Sequence, residues 1–307
     1  MPIGIFLYEI DVSFGPNILA EYYLSDVKIS QEILKDFIEK HVKRELIDAT
    51  IRTDEYKYYS SKVNADSINK SNLYLGFILK KEEELISLKT EFENTENIII
   101  QNFSTDKKKM IELLKGNLTS ILSLMEKLKE PKVITEAINE KTKKMLDDGK
   151  FEEARELIDL GEKIPEKLSA EIKLADQLFK DKQYKKAKKS FEKAAELAES
   201  IQELEINAFL KKKAEKVGFF PDLLKERDLL QKDIKKEFID LTHTQLRAYE
   251  RVMPSIDKVI NITNALEEEE ALNTLIELQS DLQKASQLYK DLAVIDKQIK
   301  RLLLKLK

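Results

Sequence analysis

The stretch Ile3–Ile10, IGIFLYEI, constrains the fold of this chain more than any other. It is a short run of apolar, β-branched and aromatic residues, and it precedes every helix-like pattern. A turn over Ser13–Asn17 follows it, since Gly15 permits a positive φ and Pro16 fixes its own. A strand with so little alternation is expected to be covered on both faces. We therefore expect Ile3–Ile10 to be the central strand of a sheet that lies between helices.

Four further strands and three helices are predicted within residues 1–130. The predicted strands are Ile18–Leu24, Leu46–Arg52, Tyr56–Val63 and Leu73–Leu79, and the predicted helices are Gln31–Val42, Ser87–Phe103 and Lys107–Leu128. Ser30 is the expected N-cap of the first helix. Gly76, in the middle of a strand, indicates that a neighbouring helix approaches the sheet closely.

This order of elements, together with the opening IGIFLYEI…SFGPNILAEYY, resembles the longin domain. Longin domains are profilin-like sheets between one helix and a pair of helices; a roadblock-type or another profilin-like sandwich is the alternative. The opening looks like that of archaeal longin-type proteins. The resemblance implies that the domain performs no chemistry and binds small GTPases, other longin domains or segments of trafficking proteins.

Beyond Pro131 no strand is predicted, and two segments, 145–164 and 178–197, align with an offset of 33 residues. The matched pairs are Phe151 with Tyr184, Ala154 with Ala187, Ile158 with Phe191, and Gly161 with Ala194. This series looks like the second helix of a tetratricopeptide (TPR) repeat, whose period is 34 residues. Small residues would let two helices approach and large ones would fill the space beside them. Generic helical hairpins are the alternative, and the repeats could either bind peptides or act as a spacer.

The last part of the chain is predicted to form long helices. A break is predicted at Gly218–Pro221. It is followed by a helix over Asp222–Val252, which Pro254 ends, and by a short helix over Ser255–Leu266. In the last helix, apolar residues from Leu275 to Leu306 recur at spacings of three and four, and only Asp296 interrupts them. Such a seam needs a partner, which is either the helix Asp222–Val252 or a second chain. Asp296 either sets the register or indicates that the seam shifts to Ile295.

The predicted fold class is therefore an α+β N-terminal domain, with a five-stranded antiparallel sheet between helices, followed by an all-α region. The expected domains are a longin-like domain over 1–130, TPR-like helices over 131–217, and a long helical hairpin or coiled coil over 218–307.

Composition excludes several classes of chemistry. The chain has no cysteine and only two histidines, His41 and His243, which we expect at helix surfaces or edges rather than in a metal site. A net charge of −4 with interleaved signs argues against nucleic acid as a partner. No phosphate-binding loop, signal peptide or membrane span is recognisable, so we expect a cytoplasmic protein without cofactor or metal. Asp147–Gly149 fits a turn better than a calcium loop, because Lys144 and Arg155 would occupy ligand positions.

Two segments are candidates for contact with partners. Tyr56, Tyr58 and Tyr59 lie on a predicted edge strand and could form a partner face, although such residues are also ordinary in strands. The basic, amphipathic end Lys300–Lys307 could touch an anionic membrane, or its leucines could complete the seam. We expect a non-enzymatic adaptor of trafficking type; the alternative is a self-assembling or peptide-binding helical scaffold.

Overall fold

The structure, a computed structural model, describes residues 1–11, 14–64, 72–83, 85–241 and 248–305. The strands are β1 Pro2–Asp11, β2 Gly15–Tyr23, β3 Asp48–Arg52, β4 Tyr56–Lys62 and β5 Leu73–Lys80. The helices are α1 Gln31–Ile38, α2 Leu85–Gln101, α3 Lys107–Lys129, α4 Pro131–Asp147, α5 Phe151–Gly161, α6 Ile164–Lys180, α7 Tyr184–Ser200, α8 Leu204–Leu241, α9 Ala248–Ala265 and α10 Glu269–Lys305. A π-helical turn, Glu39–Lys43, extends α1. The predicted fold class is confirmed: an α+β N-terminal domain precedes an all-α region.

The five strands form one sheet in the order β2-β1-β5-β4-β3, and all neighbours are antiparallel. The central strand is therefore β5, and the prediction that Ile3–Ile10 is central is wrong. Strand β1 lies between β2 and β5, one place from the edge. Both β1 and β5 are continuous apolar runs because both are interior strands with helices on each face. Their composition shows that they are interior but does not say which of them is in the middle.

The two faces of the sheet pack against different helices. On one face, Phe6 and Tyr8 of β1 pack with Leu34 and Phe37 of α1. Ser30 caps this helix as predicted, because its Oγ accepts a hydrogen bond from the Ile33 amide at 3.2 Å.

The opposite face packs against the pair α2 and α3. There Leu7 and Phe77 share a core with Phe92 of α2 and Leu114 of α3. The rings of Phe77 and Phe92 stack with their centroids 3.7 Å apart. The sheet is thus covered on both faces, as the sequence of β1 predicted.

Gly76 makes room for an aromatic ring of the neighbouring strand. Phe6 is the β1 partner of Gly76 in the sheet register, and a Cβ at Gly76 would lie 2.1 Å from Phe6 Cζ. The prediction that a helix approaches Gly76 is therefore wrong. The close neighbour is a strand side chain, which lies across the glycine on the α1 face.

The helices α4–α5 and α6–α7 form two hairpins with the same offset of 33 residues that the sequence shows. Their turns are equivalent: the Gly149 amide donates to Leu146 O at 3.1 Å, and the Lys182 amide donates to Phe179 O at 2.9 Å. Both residues have a positive φ, +77° and +58°. This is the left-handed helix end in which glycine is favoured. Asp147–Gly149 is thus the end of a helix and its turn, as expected.

The chain divides into two compact units, Met1–Phe219 and Phe220–Lys307; the finer predicted domain boundaries stay predictions. In the first unit, the core on the α2–α3 side of the sheet continues into α4, α5, α6, α7 and the start of α8. Lys212 and Lys216 of α8 bind Asn94 and Glu93 of α2 at 3.1 and 2.8 Å. This side of the sheet domain is therefore covered by the helical region.

Two predicted helix boundaries at proline are wrong. Helix α8 runs through Pro221, and α9 runs through Pro254. A proline inside a helix removes one hydrogen bond at a cost of about 3 kcal/mol, which burial of neighbours such as Val217 and Val252 helps to offset. The composition break at Gly218–Pro221 coincides with the border of the two units instead.

In the second unit, α9 and α10 form an antiparallel hairpin. Gln279 of α10 donates to Asp257 Oδ1 of α9 at 2.7 Å, and Ile256, Ile276 and Leu282 are among the buried residues of the two helices. The predicted pairing of α10 with one helix over Asp222–Val252 is wrong. Helix α10 packs along α9, which runs from Ala248 to Ala265 and so lies mostly beyond that segment.

Candidate functional site

The three tyrosines predicted as a partner face lie on an interior strand. Strand β4 pairs with β3 on one side and β5 on the other, so the prediction of an edge strand is wrong. Tyr58 and Tyr59 are only 7% and 3% exposed, whereas Tyr56 is partly exposed. Burial raises the pKa of Tyr59 well above its usual value, and its ring stacks on Phe92 at 5.3 Å. Tyr58 and Tyr59 are core residues, one on each face of the sheet.

His41 lies in a buried hydrogen-bond network rather than at the surface, so the expected surface position is wrong for this residue. Its Nδ1 is 2.7 Å from the Leu46 carbonyl oxygen, and its Nε2 is 3.0 Å from Ser60 Oγ. Ser60 Oγ is in turn 2.8 Å from the Tyr8 hydroxyl. The other histidine, His243, lies outside the described residues.

The direction of each bond in this network follows from the chemistry of its ends. Because a carbonyl oxygen only accepts, Nδ1 of a neutral His41 carries the proton. Nε2 then accepts from the Ser60 hydroxyl, which accepts in turn from Tyr8. Burial lowers the pKa of His41 to about 4, against the raising effect of the bond to Leu46. Ser60 is fully buried, so the network ties the helical turn after α1 to β4 and β1 and offers no accessible hydroxyl to a substrate.

The α1 side of the sheet domain carries an apolar surface, which we call the α1–β3 surface and define by Ile38, Val42 and Ile47. Ile47 is 68% exposed, Val42 is 45% exposed and Ile38 is partly buried. Ile47 has the alternation of a buried strand residue, but β3 begins one residue later, at Asp48. The Leu46 amide donates to the Lys40 carbonyl oxygen at 3.1 Å, which brings the backbone beside Ile47 back to the end of α1. Large exposed apolar side chains in such a position often mark an interaction site.

Basic side chains border the α1–β3 surface. Lys40 donates to the Thr50 carbonyl oxygen of the edge strand β3 at 2.5 Å, and Arg44 pairs with Glu39 at 2.6 Å. These contacts fix the segment between α1 and β3, so Val42 and Ile47 are presented on an ordered part of the chain. The exposure of Ile47 was not detectable from local pattern, because it depends on where α1 stops covering the sheet.

The predicted repeat-packing residues separate into two groups. Ala154, Gly161, Ala187, Phe191 and Ala194 are buried. Gly161 lets α5 approach α4, since a Cβ there would lie 2.8 Å from Ile138 Cγ2. The remaining three are more accessible: Phe151 is 67% exposed, Ile158 is 41% exposed and Tyr184 is partly buried. In α5 the buried large residue is Leu157.

A cavity of about 280 Å³ lies between the pair α2 and α3 and the helices α6 and α8, within the first unit. Its apolar lining includes Met125, Ile172 and Phe209. Lys213 is buried at its margin, where Nζ lies 2.7 Å from Asp176 Oδ1 and 4.4 Å from the centre of the Phe191 ring. Because the charge of Lys213 is already paired with Asp176, the lysine does not make the cavity a site for an anion.

A second cavity, of about 460 Å³, lies among α2, α3 and the start of α8. Amide side chains such as Asn94 and Asn117 line it, but they bind protein atoms: Asn94 Oδ1 accepts from Lys212, and Asn117 donates to Leu113 O at 2.8 Å. Within the described ranges, no cluster of three or more His, Asp or Glu side chains could hold a metal ion. Nor does any described helix have the length and apolar character needed to cross a membrane.

Comparison of the chain with protein-family models, with curated proteins and with solved structures gave no match.

Proposed function

We propose that this protein is a non-enzymatic adaptor of trafficking type in the cytoplasm, whose longin-like domain binds a small GTPase or another longin-type domain. The proposal rests on the resemblance of the N-terminal sequence to longin domains. The layering supports it, because one helix lies on one face of the sheet and a helix pair on the other. TPR-like packing of the two 33-residue hairpins belongs to the same proposal.

One observation carries the choice of surface. The helical region covers the α2–α3 side of the sheet domain, whereas the α1 side presents Val42 and Ile47 to solvent. A protein partner of the sheet domain would therefore dock on the α1–β3 surface. Apolar anchors surrounded by polar residues are the usual composition of such a contact.

Affinity capture with the full-length chain tests this proposal, because the chain offers two matched apolar positions. Ile47 and Phe151 are 68% and 67% exposed, so Ile47→Asp and Phe151→Asp should disturb folding equally little. The captured proteins are cross-linked and identified by mass spectrometry. We expect wild type and Phe151→Asp to retain a GTPase or longin-type protein, and Ile47→Asp to lose it. Recovery of neither class, or loss through Phe151→Asp alone, would reject the proposal.

A second candidate is a peptide-binding helical scaffold. The exposed apolar side chains on the repeats favour it: Phe151, Ile158 and Leu174 are each more than 40% exposed. Proteins with TPR repeats usually bind peptides in the concave groove of the repeats. In the capture experiment this function would appear as a partner that Phe151→Asp removes and Ile47→Asp leaves bound.

A further inference from the structure

The second half of α10 carries a stripe of exposed apolar residues. It consists of Leu288, Leu292, Ile295, Ile299 and Leu302, which are between 48% and 68% exposed. Their spacings are four, three, four and three residues, which is the heptad pattern of a coiled coil. The stripe passes through Ile295, so Asp296 lies beside it. We call these five residues the α10 stripe.

The described part of helix α9 does not cover the α10 stripe. The bond between Gln279 and Asp257 fixes the antiparallel register of the two helices. Continued along the hairpin, this register places Ala248, the first residue of α9, level with Leu288. The part of α10 from residue 289 to Lys305 therefore lies beyond the described part of α9, over about 25 Å at 1.5 Å per residue.

The shape and charge of the stripe favour a helix over a membrane as its partner. At 100° per residue the five residues occupy only about 80° of the helix circumference, narrower than the face of a helix that packs on a globular core. Asp291 and Asp296 lie along its two borders, and Lys297 and Arg301 lie on the opposite side of the helix. Anionic lipid headgroups would be repelled at the borders of the stripe.

We propose that a second copy of this chain covers the α10 stripe by antiparallel pairing. A parallel pair would bring Asp291 of each copy to Asp296 of the other, two repulsive contacts between flanking positions. An antiparallel pair with its two-fold axis at residue 297 sets Leu292 against Leu302 and Ile295 against Ile299. Position 303 of the other copy is then level with Asp291, and position 305, where the sequence has a lysine, lies about 3 Å further along the same border of the stripe. Asp296 of each copy then lies near Asp296 of the other, one like-charge contact against the two of the parallel pair, so charge complementarity favours the antiparallel dimer.

The oligomeric state of the full-length chain tests the proposal, because α10 supplies neighbouring test and control positions. Ile295 lies in the stripe, whereas Val294 is 55% exposed and points away from it. Sedimentation equilibrium should show a dimer for wild type and for Val294→Asp. Ile295→Asp should raise the dissociation constant at least about tenfold, since each dimer contains the change twice. A monomeric wild type at every concentration, or equal effects of the two variants, would overturn the proposal. So would loss of the dimer on binding to anionic vesicles.

Disulfide trapping tests the orientation of the two copies. Because the sequence contains no cysteine, only the introduced residues can form a disulfide. In the antiparallel pair, residue 292 faces residue 302, and the two copies of residue 292 are about 15 Å apart along the axis. A mixture of Leu292→Cys and Leu302→Cys chains should form mixed disulfide dimers, while neither variant cross-links with itself. Self-cross-linking of Leu292→Cys would instead show a parallel pair and contradict the proposed arrangement. This inference is independent of the adaptor proposal, which concerns the α1–β3 surface.

Discussion

The network of His41, Ser60 and Tyr8 predicts a pH-dependent stability that one substitution removes. In the folded protein, burial holds the pKa of His41 at about 4, against 6.5 in the unfolded chain. Between these values the unfolded chain binds a proton that the folded protein does not. The contribution of neutral His41 is therefore complete above pH 6.5 and is lost as pH falls towards 4.

The size of this effect follows from the pKa difference. Each pH unit in the window corresponds to about 1.4 kcal/mol. The difference between the two pKa values therefore corresponds to about 3.5 kcal/mol of unfolding free energy, of which about 3 kcal/mol is lost by pH 4, where the folded histidine is half protonated. Glu96 changes the unfolding free energy in the opposite direction over much of the same pH range, because burial raises the pKa of its carboxyl group to about 7. Between pH 4.5 and 7 Glu96 is protonated in the folded protein and ionised in the unfolded chain. Its contribution to the unfolding free energy therefore falls as pH rises. The wild-type profile is therefore flatter than either group alone would make it.

Comparison with His41→Gln isolates the histidine, because glutamine can occupy the same polar site without titrating. Urea unfolding followed by tyrosine fluorescence reports mainly on the sheet domain, since seven of the ten tyrosines lie in β1–β5. Wild type should lose stability relative to His41→Gln by about 3 kcal/mol as pH falls from 7 to 4. Parallel profiles of the two proteins would refute the assignment of a buried neutral imidazole. In a Glu96→Gln background, the decline caused by His41 should become visible in the profile itself.

Three further predictions concern packing and turns, and each is measured as a change in unfolding free energy. Gly76→Ala should cost about 2–3 kcal/mol because its methyl group would overlap the Phe6 ring. Adding Phe6→Leu to the same chain should recover part of this loss, whereas additive losses would show that the two sites are uncoupled. Lys182→Gly should stabilise the chain by about 0.5–1 kcal/mol, since φ is +58° there, whereas Gly149→Lys should destabilise it. A lower unfolding free energy in Lys182→Gly would contradict the equivalence of the two turns. Ala187→Leu and Ala154→Leu should each cost about 1–3 kcal/mol by overpacking fully buried positions. Lys189→Leu, at an exposed position of α7, is the control. If neither alanine variant lowers the unfolding free energy, the repeat packing is rejected.

The features that the sequence predicted are those set by local pattern. The continuous apolar runs of β1 and β5 identified doubly covered strands, Ser30 identified the start of α1, and the 33-residue offset identified the two hairpins. Each depends on neighbours within a few residues or on self-similarity of the chain. The buried small residues Ala154 and Ala187 were found by the same alignment.

The features that the sequence missed depend on which elements meet. Sheet order decides that β5 is central and that Tyr58 and Tyr59 lie on an interior strand, and no local signal encodes that order. Pro221 and Pro254 would each end a helix on local propensity alone, yet α8 and α9 run through them. His41 reaches Leu46 nearby and Ser60 on β4, so only the three-dimensional pairing reveals that it is buried.

Hydrogen–deuterium exchange on the full-length chain, alone and with its captured partner, shows which surface of the sheet domain the partner covers. Peptides covering α1 to β3, residues 31–52, should become protected in the complex, while residues 145–197 of the repeats should exchange as in the free chain. Protection confined to the repeats, with unchanged exchange over residues 31–52, would contradict the claim that the α1–β3 surface is where the sheet domain binds.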